Sequence, residues 1–142
     1  CANAGDSRAV LVHGSAPLRL SYDHKATDKA EGERVVRDGG KIMRNRVNGL
    51  LAVTRAFGDY TLKDSGVTAS PSTTSTPISE GVDSHLLIAS DGVWDVVTDE
   101  QAVELIRSAD PATSATELSK MLVENAMQRG SGDNICALVI KL

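Results

Sequence analysis

Aromatic residues are scarce in this chain: one Phe, one Trp and two Tyr are all that its 142 residues contain. A hydrophobic core must therefore be built mainly from Val, Leu, Ile and Ala. The sequence also lacks a basic block and any interleaving of basic with aromatic residues, and its net charge is -4. These absences argue against a nucleic-acid partner. No apolar run approaches the roughly 20 residues of a membrane-spanning helix, so we expect no membrane partner either.

Cysteine is also rare, because only Cys1 and Cys136 are present and their spacing does not fit a metal site. We interpret both as reduced core residues of an intracellular protein, cytoplasmic or nuclear. The length and a hydrophobic content of 41% suit one soluble globular domain. The first residue is not Met and lies within a predicted strand, a pattern that we interpret as a fragment of a longer protein.

Turn signals in the first half of the chain predict two β-hairpins. Residues 1–13 are expected to form one hairpin that turns at Gly5 and Asp6. Residues 41–53 are expected to form another that turns at Asn48-Gly49, because Asn-Gly between two apolar runs favours a tight turn. A short strand is expected over residues 18–20.

A helix is predicted over residues 31–37, with Gly39-Gly40 at its C-terminal end. Residues 70–79 are rich in Ser, Thr and Pro, which suits either a linker or an edge strand, and we predict a strand.

The second half combines buried strands with two helices. Residues 86–89 and 135–140 are apolar runs of the kind found in buried strands. Residues 98–101 form a capping box that predicts one helix start. Asp110-Pro111 predicts another, for a helix that runs to Arg129. The whole pattern predicts an α+β fold with a largely antiparallel sheet.

Three aspartates share one placement, because Asp6, Asp91 and Asp133 each lie in a Gly-containing turn beside an apolar strand. For an isolated Asp-Gly pair such as Asp91-Gly92, a turn in which Gly takes a positive φ angle is the more common explanation. If the three strands are neighbours, however, three carboxylates meet at one end of the sheet. Such carboxylates repel one another unless a cation neutralises them, which would indicate Mg²⁺ or Mn²⁺.

Six segments occur in the order found in the metal-dependent PP2C family of protein serine/threonine phosphatases. Each is weakly specific alone, but together they make the chain resemble the C-terminal half of that family's catalytic domain, from Cys1 to Leu142. The segments are Gly5-Asp6-Ser7-Arg8-Ala9, Asp23-His24-Lys25, Glu33-Arg34 with Gly39-Gly40, residues 46–59, residues 90–96 and Gly132-Asp133-Asn134-Ile135. The resemblance implies a mostly antiparallel β-sandwich with helices packed outside, incomplete because the N-terminal half is absent.

The resemblance also implies roles for individual residues. Asp91 and Asp133 match carboxylates that hold one of two core metal ions. Asp6 matches a residue that, with Asp91, holds a weaker third site, to which Asp95 contributes unless it only hydrogen-bonds the following turn. Arg46 is either a substrate contact or an exposed loop cation. No catalytic acid is assigned, since the family's general-acid His belongs to the N-terminal half.

Other basic residues in the matched segments are expected to be structural. We expect Arg8 and Arg55 to make structural ion pairs and His24 to make a local hydrogen bond.

The implied function is hydrolysis of phosphoserine and phosphothreonine in phosphoproteins, by a water molecule activated by Mg²⁺ or Mn²⁺. The alternative is a non-catalytic pseudophosphatase or binding fragment. We expect the chain alone to be inactive, because half of the implied metal ligands are missing. We also expect it to form a homodimer, because apolar sheet surface would otherwise be exposed.

Overall fold

The computed structural model describes all 142 residues as eight strands, four α-helices and one 3₁₀ helix. The strands are β1 (Ala2–Asn3), β2 (Arg8–His13), β3 (Ala16–Arg19), β4 (Ile42–Met43), β5 (Arg46–Val47), β6 (Ser72–Thr73), β7 (Asp83–Ala89) and β8 (Ala137–Lys141). The helices are α1 (Lys29–Arg37), α2 (Asp91–Trp94), α3 (Asp99–Ser108) and α4 (Ala115–Gln128), and the 3₁₀ helix is Tyr60–Ser65. No helix combines the length and apolar character needed to cross a membrane.

The chain forms two compact units. The first comprises residues 1, 7–21 and 74–142, and the second comprises residues 2–6 and 22–73.

A four-stranded antiparallel sheet in the order β3-β2-β7-β8 forms the centre of the first unit. Val10 pairs with Leu87, and Leu87 pairs with Val139. Because paired residues share a face, these three side chains project together. They pack with apolar residues of α2, α3 and α4 and of the segment between α2 and α3, namely Val93, Trp94, Val97, Ala102, Val103, Ile106, Leu118, Leu122 and Ala126. This aliphatic core with a single tryptophan agrees with the composition, and the mixture of helices with antiparallel sheet confirms the predicted fold class.

The alternate residues of the same strands project from the opposite face of the sheet. Leu86 pairs with Ile140, and Ile88 pairs with Leu138. Leu138 is 51% exposed, and Leu18, Ile88 and Ile140 are each more than a third exposed. We call Leu18, Ile88, Leu138 and Ile140 the apolar sheet face.

Capping side chains define the helix starts in the first unit. The predicted capping box of Thr98 and Gln101 is present, with both of its hydrogen bonds. The predicted start at Asp110-Pro111 is wrong, because α4 begins after Ser114, which forms a capping box with Glu117. The Asp110 carboxylate instead accepts a hydrogen bond from the Ala112 amide at 2.8 Å and stabilises a turn.

The predicted hairpin over residues 1–13 is wrong, because β1 pairs with β6 and not with β2. The Asn3 side-chain amide donates to the carbonyl oxygens of Gly5 and Tyr22, and the His24 amide donates to Gly5 at 2.9 Å. These partners are remote in sequence, so a local turn signal could not reveal them. Within the segment 70–79 that was predicted as a strand, only β6 is a strand.

The hairpin predicted over residues 41–53 is correct in place but wrong in register. Strands β4 and β5 turn at Arg44-Asn45, whose φ angles are 53° and 60°. Asn48-Gly49 makes the next turn, with φ angles of 51° and 76°, but it closes only one bridge, between Val47 and Leu51. Positive φ angles at both central residues are the requirement of a tight hairpin turn, and Arg44-Asn45 meets it despite its less typical sequence.

The cysteines differ from the expectation in one respect. Cys1 and Cys136 are both unbridged, but both are exposed, so their interpretation as core residues is wrong.

A buried carboxylate holds α1 to its surroundings in the second unit. Glu31 is 4% exposed and lies 2.6 Å from Arg55 Nη2 and 3.1 Å from Arg34 Nη2. The Thr54 hydroxyl also donates to Glu31, at 2.5 Å. Burial alone would raise the pKa of Glu31, but the hydrogen bonds from Arg55, Arg34 and Thr54 outweigh burial and hold this pKa far below its ordinary value.

Both structural ion pairs that were expected from the sequence are present. Arg55 pairs with Glu31, and in the first unit Arg8 pairs with Asp99 at 2.6 Å.

We predict that Glu31→Gln lowers the free energy of unfolding by about 3–5 kcal/mol, because it leaves two guanidinium groups without their buried counter-charge. Glu33→Gln, at a side chain that is 66% exposed, is the matched control and should change stability by less than about 0.5 kcal/mol. Urea unfolding measures both, and equal effects of the two substitutions would contradict the prediction.

The Glu31 contribution should also depend on pH. Because the folded-state pKa lies below the ordinary value of 4.5, the stabilisation is complete above that value and is lost as pH falls towards the folded-state pKa.

Candidate metal centre

Asp91 lies directly beyond the end of β7, at the first position of the one-turn helix α2. Ser90 is the N-cap residue, and the Asp91 carboxylate accepts a hydrogen bond from the Gly92 amide at 2.9 Å. The indole Nε1 of Trp94 donates to the Ala89 carbonyl at 2.9 Å and ties the helix back to the strand. The half-buried carboxylate is therefore supported by fixed backbone on both sides.

Gly92 is required by close packing and not by an unusual backbone angle. The sequence predicted a turn with a positive φ angle at this glycine, but Gly92 is helical and does not belong to the positive-φ glycines of the chain. A Cβ atom at Gly92 would lie 2.3 Å from the Asn134 carbonyl oxygen. Only glycine permits the two backbone segments to approach so closely.

Ser90 joins the segment that carries Asp91 to the segment that carries Asp133. Its hydroxyl donates to the Asn134 carbonyl at 3.2 Å and accepts from the Cys136 amide at 3.1 Å. The Ser90 amide donates to the Cys136 carbonyl at 3.0 Å. We call these contacts the Ser90 cluster.

A further hydrogen bond joins the same two segments, because the Ser131 hydroxyl donates to the Gly92 carbonyl at 2.6 Å. The backbone around Asp91 is therefore held against the backbone around Asp133.

Asp133 is exposed, and its carboxylate accepts a hydrogen bond from the Asn134 amide at 2.7 Å. Carboxylate oxygens are the ligands that Mg²⁺ and Mn²⁺ prefer. No group of three or more His, Cys, Asp or Glu side chains in the chain could hold a metal ion. Asp91 and Asp133 thus offer oxygen ligands of the type that a divalent cation prefers, whereas a full site needs about six of them.

None of the other predicted site residues is fully buried. Asp6 belongs to the second unit and lies 3.8 Å from the Lys25 ammonium group. Asp95 is the exposed C-cap residue of α2. Arg46 is exposed, and its guanidinium group donates to the Leu50 carbonyl at 2.8 Å.

His24 is fully buried, and its Nδ1 lies 3.0 Å from the Gly5 carbonyl, which confirms the expected local hydrogen bond. Burial, reinforced by the positive charge of Arg55, lowers the pKa of His24, so the imidazole is neutral near pH 7.

Sequence reasoning missed Ser90 and Ser131, because their hydrogen-bond partners lie 44 and 39 residues away along the chain. The -Ser-Asp-Gly- segment was recognised only for its aspartate.

The chain matches the family model described as Protein phosphatase 2C over residues 1–135, and it therefore belongs to the protein phosphatase 2C family. It is 49% identical to Protein phosphatase 2C homolog 1 of Schizosaccharomyces pombe, over 99% of this chain and 40% of that protein. It is 48% identical to Protein phosphatase 2C homolog 1 of Saccharomyces cerevisiae, over 99% of this chain and 48% of that protein. The chain thus spans less than half the length of these curated relatives.

Solved structures agree with this assignment. A C. elegans sex determining protein has a TM-score of 0.88 and 30% identity, over 97% of this chain and 35% of that one. A serine-threonine phosphatase 2C from Toxoplasma gondii has a TM-score of 0.78 and 25% identity, over 97% of this chain and 52% of that one. The family is therefore as predicted. The fold class is also as predicted, since the chain forms a fragment of the PP2C fold.

We predict that Gly92→Ala destabilises the chain by about 1–3 kcal/mol, because the new methyl group collides with the Asn134 backbone. Alanine is otherwise favoured over glycine in a helix, so a loss of stability can be attributed to the collision. Gly132→Ala is the control, since a Cβ atom there meets nothing within 4 Å. Thermal unfolding measures both variants, and a Gly92→Ala midpoint at or above that of the unsubstituted chain would disprove the assignment.

Proposed function

We propose that residues 1–142 form the C-terminal portion of the catalytic domain of a metal-dependent protein serine/threonine phosphatase. The family match over residues 1–135 carries the proposal. The name of the T. gondii structure, a serine-threonine phosphatase 2C, supports phosphoserine and phosphothreonine in proteins as the substrate class.

Asp91 and Asp133 are the proposed ligands of Mg²⁺ or Mn²⁺. Their backbone segments are joined by the Ser90 cluster, so the carboxylates lose little conformational freedom when they bind a cation. Such an ion, when bound, supplies a water molecule of lowered pKa and offsets negative charge on the phosphate. The remaining ligands must come from parts of the longer protein outside residues 1–142.

Three further residues have proposed supporting roles. Asp6, together with Asp91, would hold a weaker third metal site, to which Asp95 would contribute. Arg46 would contact the substrate phosphate, because its guanidinium group is exposed to solvent and therefore accessible to a substrate. A hydrogen bond to the Leu50 carbonyl orients this guanidinium group, so its position is already restricted before substrate binds.

The alternative proposal is a non-catalytic pseudophosphatase or binding fragment. It is favoured by the small number of potential ligands, since no group of three occurs within the chain. The discriminating observation is the encoded sequence upstream. An acidic residue and an Asp-Gly-His segment there would support the enzyme, and their absence would support the binding fragment. A cytoplasmic or nuclear location stays a prediction.

The experiment that tests the metal assignment is calorimetric titration of the 142-residue chain with Mn²⁺. We expect binding of millimolar affinity or tighter, weakened at least tenfold by Asp91→Asn, which is about 1.4 kcal/mol. Asp110→Asn is the control, because Asp110 is another aspartate whose carboxylate accepts a hydrogen bond from a backbone amide, and no metal-binding role is proposed for it. Equal binding by all three proteins would refute Asp91 as a ligand.

Activity gives a second arm of this test. The isolated chain should not hydrolyse a phosphopeptide with Mg²⁺ or Mn²⁺, because its ligand set is incomplete. In the full-length protein, Asp91→Asn should lower kcat/KM roughly 100-fold or more, since a catalytic metal contributes several kcal/mol. Metal-dependent turnover by the 142-residue chain would contradict the incomplete-site proposal.

We further propose that the isolated chain forms a homodimer through the apolar sheet face. Leu138→Lys should shift the chain towards monomer, because it introduces a charge where two such faces would meet. Met127→Lys on α4, at a side chain that is 62% exposed, is the control and should leave association unchanged. Sedimentation measures both, and a monomeric unsubstituted chain would count against the proposal.

A further inference from the structure

A cavity with a partly polar lining lies in the first unit, near the beginning of β7. It has a volume of about 210 Å³ and is formed by the start of β7, the end of β8, the end of α3 and the segment 109–118. Its polar lining consists of Ser84, His85, Arg107, Asp110, Thr113 and Lys141. We call it the His85 cavity. At about 30 Å³ for each water molecule, it has room for roughly seven waters, or for a small ion with part of its hydration shell.

One ring nitrogen of His85, a residue that lines the cavity, has no hydrogen-bond partner. Nδ1 lies 3.0 Å from the Ser84 hydroxyl, whereas Nε2 is buried without a hydrogen bond. Burial, together with the positive charge of Lys141, lowers the pKa of His85, so the imidazole is neutral near pH 7. In the tautomer that accepts from Ser84, Nε2 carries the proton and needs an acceptor. A buried donor without an acceptor is unfavourable, and a bound acceptor would relieve it.

Most of the polar side chains that line the cavity can donate hydrogen bonds, whereas Ile106, Ala109, Pro111 and Leu118 are apolar. The Lys141 ammonium group donates to the Pro111 carbonyl at 3.2 Å and has three N–H groups in all. Arg107 lies 3.6 Å from Glu104, a distance at which its guanidinium group is only loosely paired. The single acidic side chain of the lining, Asp110, already accepts a backbone amide in its own turn.

The helix ends do not decide whether the cavity favours a cation or an anion. The C-terminus of α3 and the N-terminus of α4 both adjoin it, and their dipoles oppose each other. The side chains therefore set the preference.

We propose that the His85 cavity binds a small oxyanion, a phosphate or a carboxylate group, with Lys141, Arg107 and His85 Nε2–H as its donors. Two cationic side chains and one neutral donor suit a tetrahedral or planar group of oxygen acceptors. His85 precedes Asp91 by six residues, which is about 20 Å along an extended strand. An anion in this cavity would therefore not contact the Asp91 carboxylate, and the two sites can be tested separately.

The test is a titration of the 142-residue chain with inorganic phosphate in the presence of a chelator. The chelator removes divalent cations, so phosphate cannot bind through metal held by Asp91 and Asp133. Calorimetry measures affinity, and the ¹⁵N chemical shift of His85 Nε2 reports on the cavity itself. We expect saturable binding with a change in that shift. Acetate, titrated in the same way, distinguishes a carboxylate site from a phosphate site.

Variants locate the bound ion. Lys141→Gln and Arg107→Gln should each weaken binding at least tenfold, and Arg107 is exposed enough that its substitution should not disturb folding. Lys120→Gln, an exposed lysine on α4, should bind as the unsubstituted chain does. Three results would overturn the proposal: no saturable binding of either anion, binding without a change at His85, or equal affinity in all variants. None of these results bears on the Mn²⁺ titration.

Discussion

The antiparallel register of β7 against β2 and β8 is the constraint on which the first unit depends. Pairing of Leu87 with Val10 and Val139 directs one set of side chains to the helices and the alternate set to the opposite face. A shift of one residue would exchange the two faces. It would also move the end of β7, and with it Asp91. The hydrophobic core and the candidate metal centre are thus fixed by the same hydrogen bonds.

Local signals in the sequence predicted local structure well. The capping box at Thr98 and the helix end before Gly130 involve contacts within a few residues, and both are present. The predictions that failed concern pairing at a distance. The hairpin at Gly5 looked local, yet that turn is held by residues 22 and 24 and its first strand pairs with β6. Asp110 had the right composition for a helix start, but its own side chain stabilises a turn that delays the helix.

The same contrast between local and distant contacts applies to the candidate site. Asp91 and Asp133 could be proposed as ligands from short motifs, because an aspartate beside a Gly-containing turn is a recognisable pattern. Ser90 and Ser131 could not, since serine is common and their partners are remote. The rest of the implied site could not be located in this chain for a simpler reason. The chain spans less than half the length of its curated relatives, and no group of three potential metal ligands occurs within it.

The Ser90 cluster links the contact between the two acidic segments to the integrity of the sheet. Ser90 bonds to Cys136, the residue that immediately precedes β8, so fraying of the start of β8 separates the two acidic segments. A ligand that requires both segments together therefore suppresses this fraying by mass action. At a ligand concentration ten times its dissociation constant, the closed arrangement gains about 1.4 kcal/mol. Conversely, a change that loosens the last strand lowers the fraction of molecules in the closed arrangement, and a ligand that requires both segments then binds more weakly in proportion to that fraction.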